Sequence, residues 1–197
     1  MKLKLMFILG ALLFSLSAMA GSVTFDIDDN SGAPLNENVK VYYNDYGTHY
    51  AYLGQTSSGS LTVTLPDGNY TFKVVKDYTE QKVSGAVPGT INFQTAAYTV
   101  HAKDNVGGSL SGVAVYHNDY GTHWDKIGTS GASGTVTVQL FAGNHTFQAR
   151  KDYTSLNGNL SLTAGTAGTL DLQTSLYYVH IKDAAGNNLS GVKVYHN

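Results

Sequence analysis

The repeat that decides the fold occurs twice in the chain, as YYNDYGTHY at residues 42–50 and as YHNDYGTHW at residues 116–124. They lie 74 residues apart and agree at seven of nine positions. A second pair, KDYT at residues 76–79 and 151–154, lies 75 residues apart. Self-similarity at a near-constant spacing is typical of tandem repeats, in which each repeat forms one structural unit. The sequence therefore predicts two copies of one unit.

The repeats divide the chain into a first unit at residues 21–96, a second unit at 97–175 and the start of a third at 176–197. The third start is visible in LSGV at residues 189–192, which repeats residues 110–113. Because two strands cannot close a core alone, we expect the sequence to be a piece of a longer protein. Two alternatives stay open: the last segment is loosely attached, or it completes the edge of a sheet in another chain.

The first 20 residues predict a signal peptide. Lys2 and Lys4 precede an apolar run at residues 6–16, and residues 18–20 (Ala-Met-Ala) supply the small side chains that a signal peptidase needs. The run is too short for a membrane anchor. We therefore expect an exported protein, secreted or held at the cell surface or in the periplasm, whose mature chain has no membrane span.

Within each unit the hydrophobic residues recur with a period of two. The first strand alternates Val23, Phe25 and Ile27 with polar residues, and later segments follow the same rule. This alternation predicts strands that turn one face to a core and the other to water. For the first unit it predicts seven strands, near residues 22–28, 39–43, 50–56, 60–65, 69–76, 81–87 and 90–95. The predicted fold class is all-β: two tandem seven-stranded immunoglobulin-like β-sandwiches plus an incomplete third unit.

Composition excludes several classes of function. The formal net charge is −2 and the chain has a single arginine, Arg150, so no electrostatic footprint for nucleic acid is present. Without cysteine there is no disulfide framework, zinc–thiolate site or thiol nucleophile. No motif pairs an activated nucleophile or acid with a base, and none cradles a cofactor phosphate. The sequence predicts a protein that is not an enzyme and needs no cofactor.

The strand and turn motifs resemble a known group of repeats. Each of the later units has a first strand that ends in Asp104 or Asp183, followed by Leu-Ser-Gly-Val. Residues 143–147 (GNHTF) repeat residues 68–72 (GNYTF). This pattern resembles the bacterial immunoglobulin-like and prealbumin-like repeats, which include carboxypeptidase-regulatory-like domains of exported surface proteins. The resemblance implies a structural spacer, an adhesin-like stalk or a carbohydrate-contacting appendage.

The repeated loops are the strongest candidates for a binding site. Aromatic faces can stack on a sugar ring while imidazole and carboxylate groups bond its hydroxyls, which makes an extracellular glycan a possible partner. The alternative is a tight hairpin in which Asn and Asp satisfy the backbone and Gly takes a positive φ. The candidate ligand contacts are Tyr46, His49, Tyr50, Asp119, Tyr120, His123 and Trp124.

A third hypothesis assigns the similarity of the loops to the joint between units. If strands alternate in direction, the loop after strand two and the loop after strand five lie at opposite ends of a unit. Tandem stacking then brings Lys76, Asp77 and Tyr78 of the first unit towards Asn118 and Trp124 of the second. Under this hypothesis the partner of each unit is its neighbour, or another surface protein.

One acidic segment of the first unit suggests a metal site. Asp26, Asp28 and Asn30 alternate as calcium ligands do, and Glu37 stands at the twelfth position of the loop. The sixth position is Ser31 rather than Gly, and a strand precedes the loop where a calcium-binding loop has a helix. A solvated turn is the alternative interpretation of the same residues.

Overall fold

The structure, a computed structural model, describes residues 19–152, 154–176 and 178–194. Within these residues the regular structure is entirely strand, so the prediction of an all-β chain is confirmed. The strands are β1 (Ala20–Asp28), β2 (Lys40–Tyr46), β3 (His49–Gln55), β4 (Ser60–Pro66), β5 (Gly68–Lys76), β6 (Thr79–Val87), β7 (Gly89–Lys103), β8 (Ala114–Tyr120), β9 (His123–Thr129), β10 (Thr135–Phe141), β11 (Gly143–Lys151), β12 (Thr154–Leu162) and β13 (Ala167–Gln173).

Strands β1 to β6 and the first half of β7 form two sheets, and we call this body unit one. In one sheet β1 pairs antiparallel with β4 and parallel with β7, from Val23 opposite Gly89 to Asp28 opposite Gln94. The other sheet has the order β3-β2-β5-β6. Each of the seven strands predicted for the first unit overlaps one of these strands.

Strands β8 to β13 repeat the arrangement with the second half of β7, and we call this body unit two. The second half of β7 pairs antiparallel with β10 and parallel with β13. The facing sheet has the order β12-β11-β8-β9. Strand β7 is therefore shared: its 15 residues run from the sheet of one unit into the sheet of the next. The predicted boundary between residues 96 and 97 falls inside this strand.

Each unit has its own hydrophobic core, because the inward side chains of its two sheets pack against each other. In unit one Phe25 meets Phe72 edge to face, with ring centroids 4.9 Å apart. In unit two Tyr98 and Phe147 lie 5.8 Å apart. One residue crosses the division: Phe141 ends β10 of unit two and yet belongs to the core of unit one.

The segment after β13 carries the start of the third repeat. The strands expected there are absent from described residues 174–176 and 178–194, where the pairing is a single bridge between Lys182 and Asn188. At its start the Thr174 amide donates to the carbonyl of Lys103 at the end of β7, at 2.9 Å. Residues 1–18 lie outside the described part of the chain, and with them most of the predicted signal peptide. Among the residues described, no helix has the length and apolar character to cross a membrane.

Candidate functional site

The two repeated loops are tight hairpins. In unit two the Asn118 side-chain amide donates to the carbonyl of Gly121 at 2.6 Å, and in unit one Asn44 donates in the same way to Gly47. The glycines have φ values of 58° (Gly47) and 59° (Gly121), in the left-handed region that glycine adopts without strain. The turn itself thus explains the identity between the loops at the Asn and Gly positions.

The hairpins occupy different places in the molecule. Strands β2 and β5 are antiparallel, so the tip of the first hairpin lies at the end of unit one opposite the β5–β6 turn. The tip of the second hairpin, at the corresponding end of unit two, faces that turn. The structure therefore does not bring the two sets of predicted sugar contacts together. The side chains of Tyr46, Asp119 and Tyr120 lie outside the described part of the structure.

The remaining aromatic residues of the first loop lie on the outer face of the sheet β3-β2-β5-β6. Tyr50 is half-buried, with the Lys73 ammonium 4.6 Å from its ring centroid. Tyr42 and Tyr52 lie side by side, 5.4 Å apart, and Tyr52 is 57% exposed. We call Tyr42, Tyr50 and Tyr52 the outer aromatic strip. His49 is exposed at the hairpin tip.

The β5–β6 turn of unit one meets the second hairpin at the joint between the units. The ring of Tyr78 lies 6.3 Å from the ring of His123, in an edge-to-face arrangement. Trp124, the contact expected from the sequence, is half-buried beside it and pairs through its backbone with Asn118. The side chain of Asn118 closes its own hairpin, as described above. The structure thus brings the 76–79 turn to the predicted hairpin but puts His123 against Tyr78.

The centre of the joint is an aromatic plug that the sequence did not reveal. Phe141 is fully buried, with its ring 6.4 Å from that of Phe93 in unit one. Its backbone amide donates to the hydroxyl of Thr79 at 3.3 Å, and Thr79 is buried as well. The repeat places Pro66 at the position of Phe141. The sequence shows Phe141 only as an apolar residue at the end of an amphipathic strand, and that pattern does not indicate that its side chain enters the core of the neighbouring unit.

A polar clamp lies beside the plug. The side-chain amide of Gln139 donates to Asn30 of unit one at 2.7 Å. The hydroxyl of Thr95, in the middle of β7, donates to the Gln139 carbonyl oxygen at 2.8 Å. Each of the three groups is satisfied by the others, which is what a partly buried polar contact requires. The joint therefore has a fixed register as well as an apolar contact.

A buried lysine supports the turn that carries Tyr78. Lys76 is 3% exposed, and its ammonium lies 2.7 Å from the carboxylate of Glu37 and also pairs with Asp77. Asp77 and Tyr78 both have positive φ values, 45° and 63°. A groove of about 480 Å³ opens next to this turn, bounded by Glu37 and Asp77 on unit one and by residues that include Asp125 on unit two.

The four predicted calcium ligands do not converge. Asp26 accepts from the Ser60 hydroxyl at 2.9 Å, while Asn30 and Glu37 bond the joint residues named above. Asp28 lies with Asp26 along a shallow cleft. Within the described residues no three His, Asp or Glu side chains come close enough together to hold a metal ion.

The carboxylate that organises this segment is Asp29, which is not among the four predicted ligands. Asp29 accepts from the hydroxyl and backbone amide of Ser31 and from the amide of Ala33, and these bonds, the hydroxyl first, lower its pKa. Asp104 and Asp183 accept in the same way from amides two and four residues on. This geometry is that of a solvated turn, the alternative interpretation of the segment. The equivalent positions of Asp29, Asp104 and Asp183 in the three repeats are the sequence feature that indicates such a turn.

A histidine pair lies inside unit two. His117 Nε2 is 3.1 Å from His145 Nδ1, and His145 Nε2 is 2.9 Å from the carbonyl oxygen of Phe141. Because a carbonyl only accepts, His145 carries its proton on Nε2 and accepts at Nδ1 from His117. Burial lowers the pKa of His145. The same positions in unit one hold Tyr43 and Tyr70, with rings 5.8 Å apart.

Comparison with known proteins gives structural likeness at low identity. No model of a known protein family matches the chain, and no curated protein matches its sequence. The shaft pilin SpaA from Lactobacillus rhamnosus GG is 13% identical over 82% of this chain and 99% of that chain, with a TM-score of 0.33. A streptococcal ancillary pilin is 16% identical over 79% of this chain and 63% of its own, with a TM-score of 0.31.

The Bacillus anthracis TIE protein is 12% identical over 79% of this chain, with a TM-score of 0.33. The match covers 34% of that protein, so the chain spans about a third of its length. At these identities and TM-scores the likeness carries no argument about function.

Proposed function

We propose that the chain is an exported, non-enzymatic repeat protein that works as a rigid spacer or stalk at the cell surface. Its working parts are two seven-stranded immunoglobulin-like sandwiches, at residues 21–96 and 97–175, with a third beginning at 176–197. The observation that carries the proposal is β7, a single 15-residue strand that belongs to both units. A spacer must hold its ends apart, and a strand paired in both bodies leaves no linker to bend.

The length and pairing of β7 are the physical reasons to expect a stiff joint. At about 3.3 Å per residue, 15 residues extend about 50 Å, a large fraction of the length of two small sandwiches. Strand β1 holds its first half, and β10 and β13 hold the second. Bending at the joint would break ladder bonds, withdraw Phe141 from the core of unit one and open the Gln139 clamp. Because bending would break all three kinds of contact, the two units should tumble as one body.

Relaxation of backbone ¹⁵N nuclei in the chain without residues 1–20 tests this proposal. A rigid rod gives both units one common rotational diffusion tensor, elongated along β7. Insertion of Gly-Gly-Ser between Ala96 and Ala97 is the matched control, because it breaks the shared strand and retains every native residue of both units. Separate correlation times for the two units of the parent chain would contradict a spacer role.

Export is tested separately. When the full chain is expressed in a bacterial host, the protein recovered outside the cytoplasm should begin at Gly21. Replacing Ala18 and Ala20 with bulky residues should leave the uncleaved chain in the cell, because signal peptidase needs small side chains at these sites. An uncleaved cytoplasmic chain in both cases would contradict export.

The outer aromatic strip favours a second candidate, a carbohydrate-binding module. The rings of Tyr42 and Tyr52 are adjacent on the outer face of the sheet, and aromatic rings of this kind stack on sugar rings. The Lys73 ammonium lies over the rings of Tyr42 and Tyr50. A glycan array probed with the parent chain and with Tyr52→Ala tests it, with Trp124→Ala reporting on the second hairpin. Binding of a glycan that is lost in either variant supports the candidate. Absence of glycan binding, or binding equal in all three proteins, eliminates it.

A further inference from the structure

The end of unit two away from the joint carries an apolar socket. The bottom of this socket is formed by four buried side chains, Ala102, Val113, Ala149 and Leu172, and its rim by Thr154 and the 37% exposed Leu156. The four buried side chains are nearly closed off from water, and Leu156 at the rim is the large apolar side chain of this group that is left partly open to it.

The repeat identifies the socket with the site that holds Phe141 at the existing joint. Residues of unit one occur 74, 75 or 79 positions before their counterparts in unit two. The counterparts of Ala102, Val113, Ala149 and Leu172 are Ile27, Val39, Val74 and Phe93, all in the core cluster that contains Phe141. The counterpart of Thr154 is Thr79, which accepts the Phe141 amide proton. The same site therefore occurs twice, once filled and once open.

Burial differs between the two copies in the way that filling predicts. Thr79 and Lys76 are 6% and 3% exposed at the filled site. Thr154 and Lys151, identical residues at the same repeat positions, are exposed at the open one. Alanines 102 and 149 stand where the filled site has Ile27 and Val74, so two of the side chains that line the open site are smaller.

The segment that follows unit two repeats the start of a unit. The Asp183 carboxylate accepts from the amides of Ala185 and Asn187, and so builds the turn that Asp104 builds in unit two. Its apolar residues are uncovered: Val179, Val192 and Val194 are 64%, 47% and 56% exposed. Their counterparts 79 positions earlier, at residues 100, 113 and 115, are 0%, 3% and 0% exposed.

We propose that the socket receives the aromatic side chain that ends the fourth strand of a further unit, one that begins with residues 176–194. The inference rests on the proposed function, since it extends the same joint to the next unit. The docked residue places its ring on Ala149 and Leu172, and its backbone amide donates to the hydroxyl of Thr154.

A second copy of this chain does not meet the requirement. The fourth strand of unit one ends in Pro66, which has no backbone N–H to give to Thr154. The fourth strand of unit two ends in Phe141, which is already buried in its own chain. The occupant is therefore a unit of the second kind, with a non-proline aromatic residue at this position.

The test extends the full chain, so that every native residue is retained. Asn197 repeats Asn118, so a copy of residues 119–175 placed after Asn197 completes a third unit and supplies a copy of Phe141. The threonine methyl resonances of the parent and extended chains are then compared. Docking predicts a ring-current shift of the Thr154 methyl on extension, and its loss when the copied phenylalanine is replaced by leucine.

The existing joint supplies the matched control. In the parent chain, Phe141→Leu should move the Thr79 methyl resonance in the corresponding way. A shift at Thr79 without a shift at Thr154 overturns the socket proposal and leaves the spacer joint intact. No shift at either threonine overturns both. Failure of the appended unit to give new dispersed amide signals also overturns the proposal, because residues 176–194 would then not begin a unit of this kind.

Discussion

Truncation of Phe141 should weaken unit one, although the residue belongs to a strand of unit two. The side chain is fully buried in the core that contains Phe93, and removing a buried phenylalanine ring costs about 3–5 kcal/mol. The backbone amide bond to Thr79 survives in Phe141→Ala, so the loss is confined to packing and the cavity. We expect the free energy of unfolding of unit one to fall by about 3–5 kcal/mol.

Urea denaturation followed by two signals measures this effect. Trp124 is the single tryptophan and lies in β9 of unit two, at the joint, so its fluorescence follows mainly the unfolding of unit two, whereas far-ultraviolet circular dichroism reports both units. In the parent chain the two transitions should coincide, because the joint couples the units. In Phe141→Ala the circular dichroism should begin to change at lower urea than the fluorescence.

Phe147→Ala is the matched control. Phe147 is equally buried but packs within the core of unit two. Its truncation should lower the midpoint of the fluorescence transition, the reverse of the result for Phe141. The reasoning would be refuted if Phe141→Ala left the two transitions coincident and cost less than about 1 kcal/mol.

Three further predictions concern single groups. Lys76→Ala should lower the urea midpoint clearly more than Lys151→Ala, because the same repeat position is buried at the joint in one case and solvated in the other, where surface changes stay within about 0.5 kcal/mol. Burial in the folded state lowers the pKa of His145, so as the pH falls the unfolded state takes up the proton before the folded state does. The free energy of unfolding should therefore be constant above a pH of about 6.5 and decrease below it. In His145→Tyr the urea midpoint measured by fluorescence should change less between pH 7.5 and 5 than it does in the parent chain. Tyr78→Ala and His123→Ala should be non-additive in a double-mutant cycle, with a coupling of about 0.5 kcal/mol for an exposed ring pair, and strict additivity would remove this contact from the joint.

The strands could be predicted from the sequence because burial on one face of a sheet imposes a period of two. Residues 22–28 and 60–65 alternate cleanly, and they form β1 and β4 within one or two residues of the predicted ends. The seventh predicted strand ends at residue 95, at the repeat boundary, whereas β7 runs from Gly89 to Lys103. The buried positions of β7 change from odd numbers (Phe93, Thr95) to even numbers (Tyr98, Val100) at the boundary, so the two units cover opposite faces of the same strand.

The joint could be predicted in direction but not in detail. The alternation of strand directions was sufficient to predict that the 76–79 turn lies near the second hairpin. It could not distinguish His123 from Trp124, because adjacent residues of a strand point to opposite faces and the choice depends on the angle between the units. The metal hypothesis was based on the spacing of carboxylates within one unit. Alignment of Asp29 with Asp104 and Asp183 across units would have assigned them to a turn.

The joint also gives the repeat a polarity. One end of unit two contributes a knob, Phe141, and the other end has a socket built from the counterparts of the residues that receive that knob. Unit one has the socket but ends its fourth strand in Pro66, so it cannot repeat the amide bond that fixes Phe141 to Thr79. A body with a different surface at each end makes heterologous contacts, and such contacts extend a structure in one direction instead of closing it into a symmetric dimer. Under this proposal, a knob-and-socket joint lets units with small cores gain stability from their neighbours while keeping a fixed axis, in a repeat that has no cysteine.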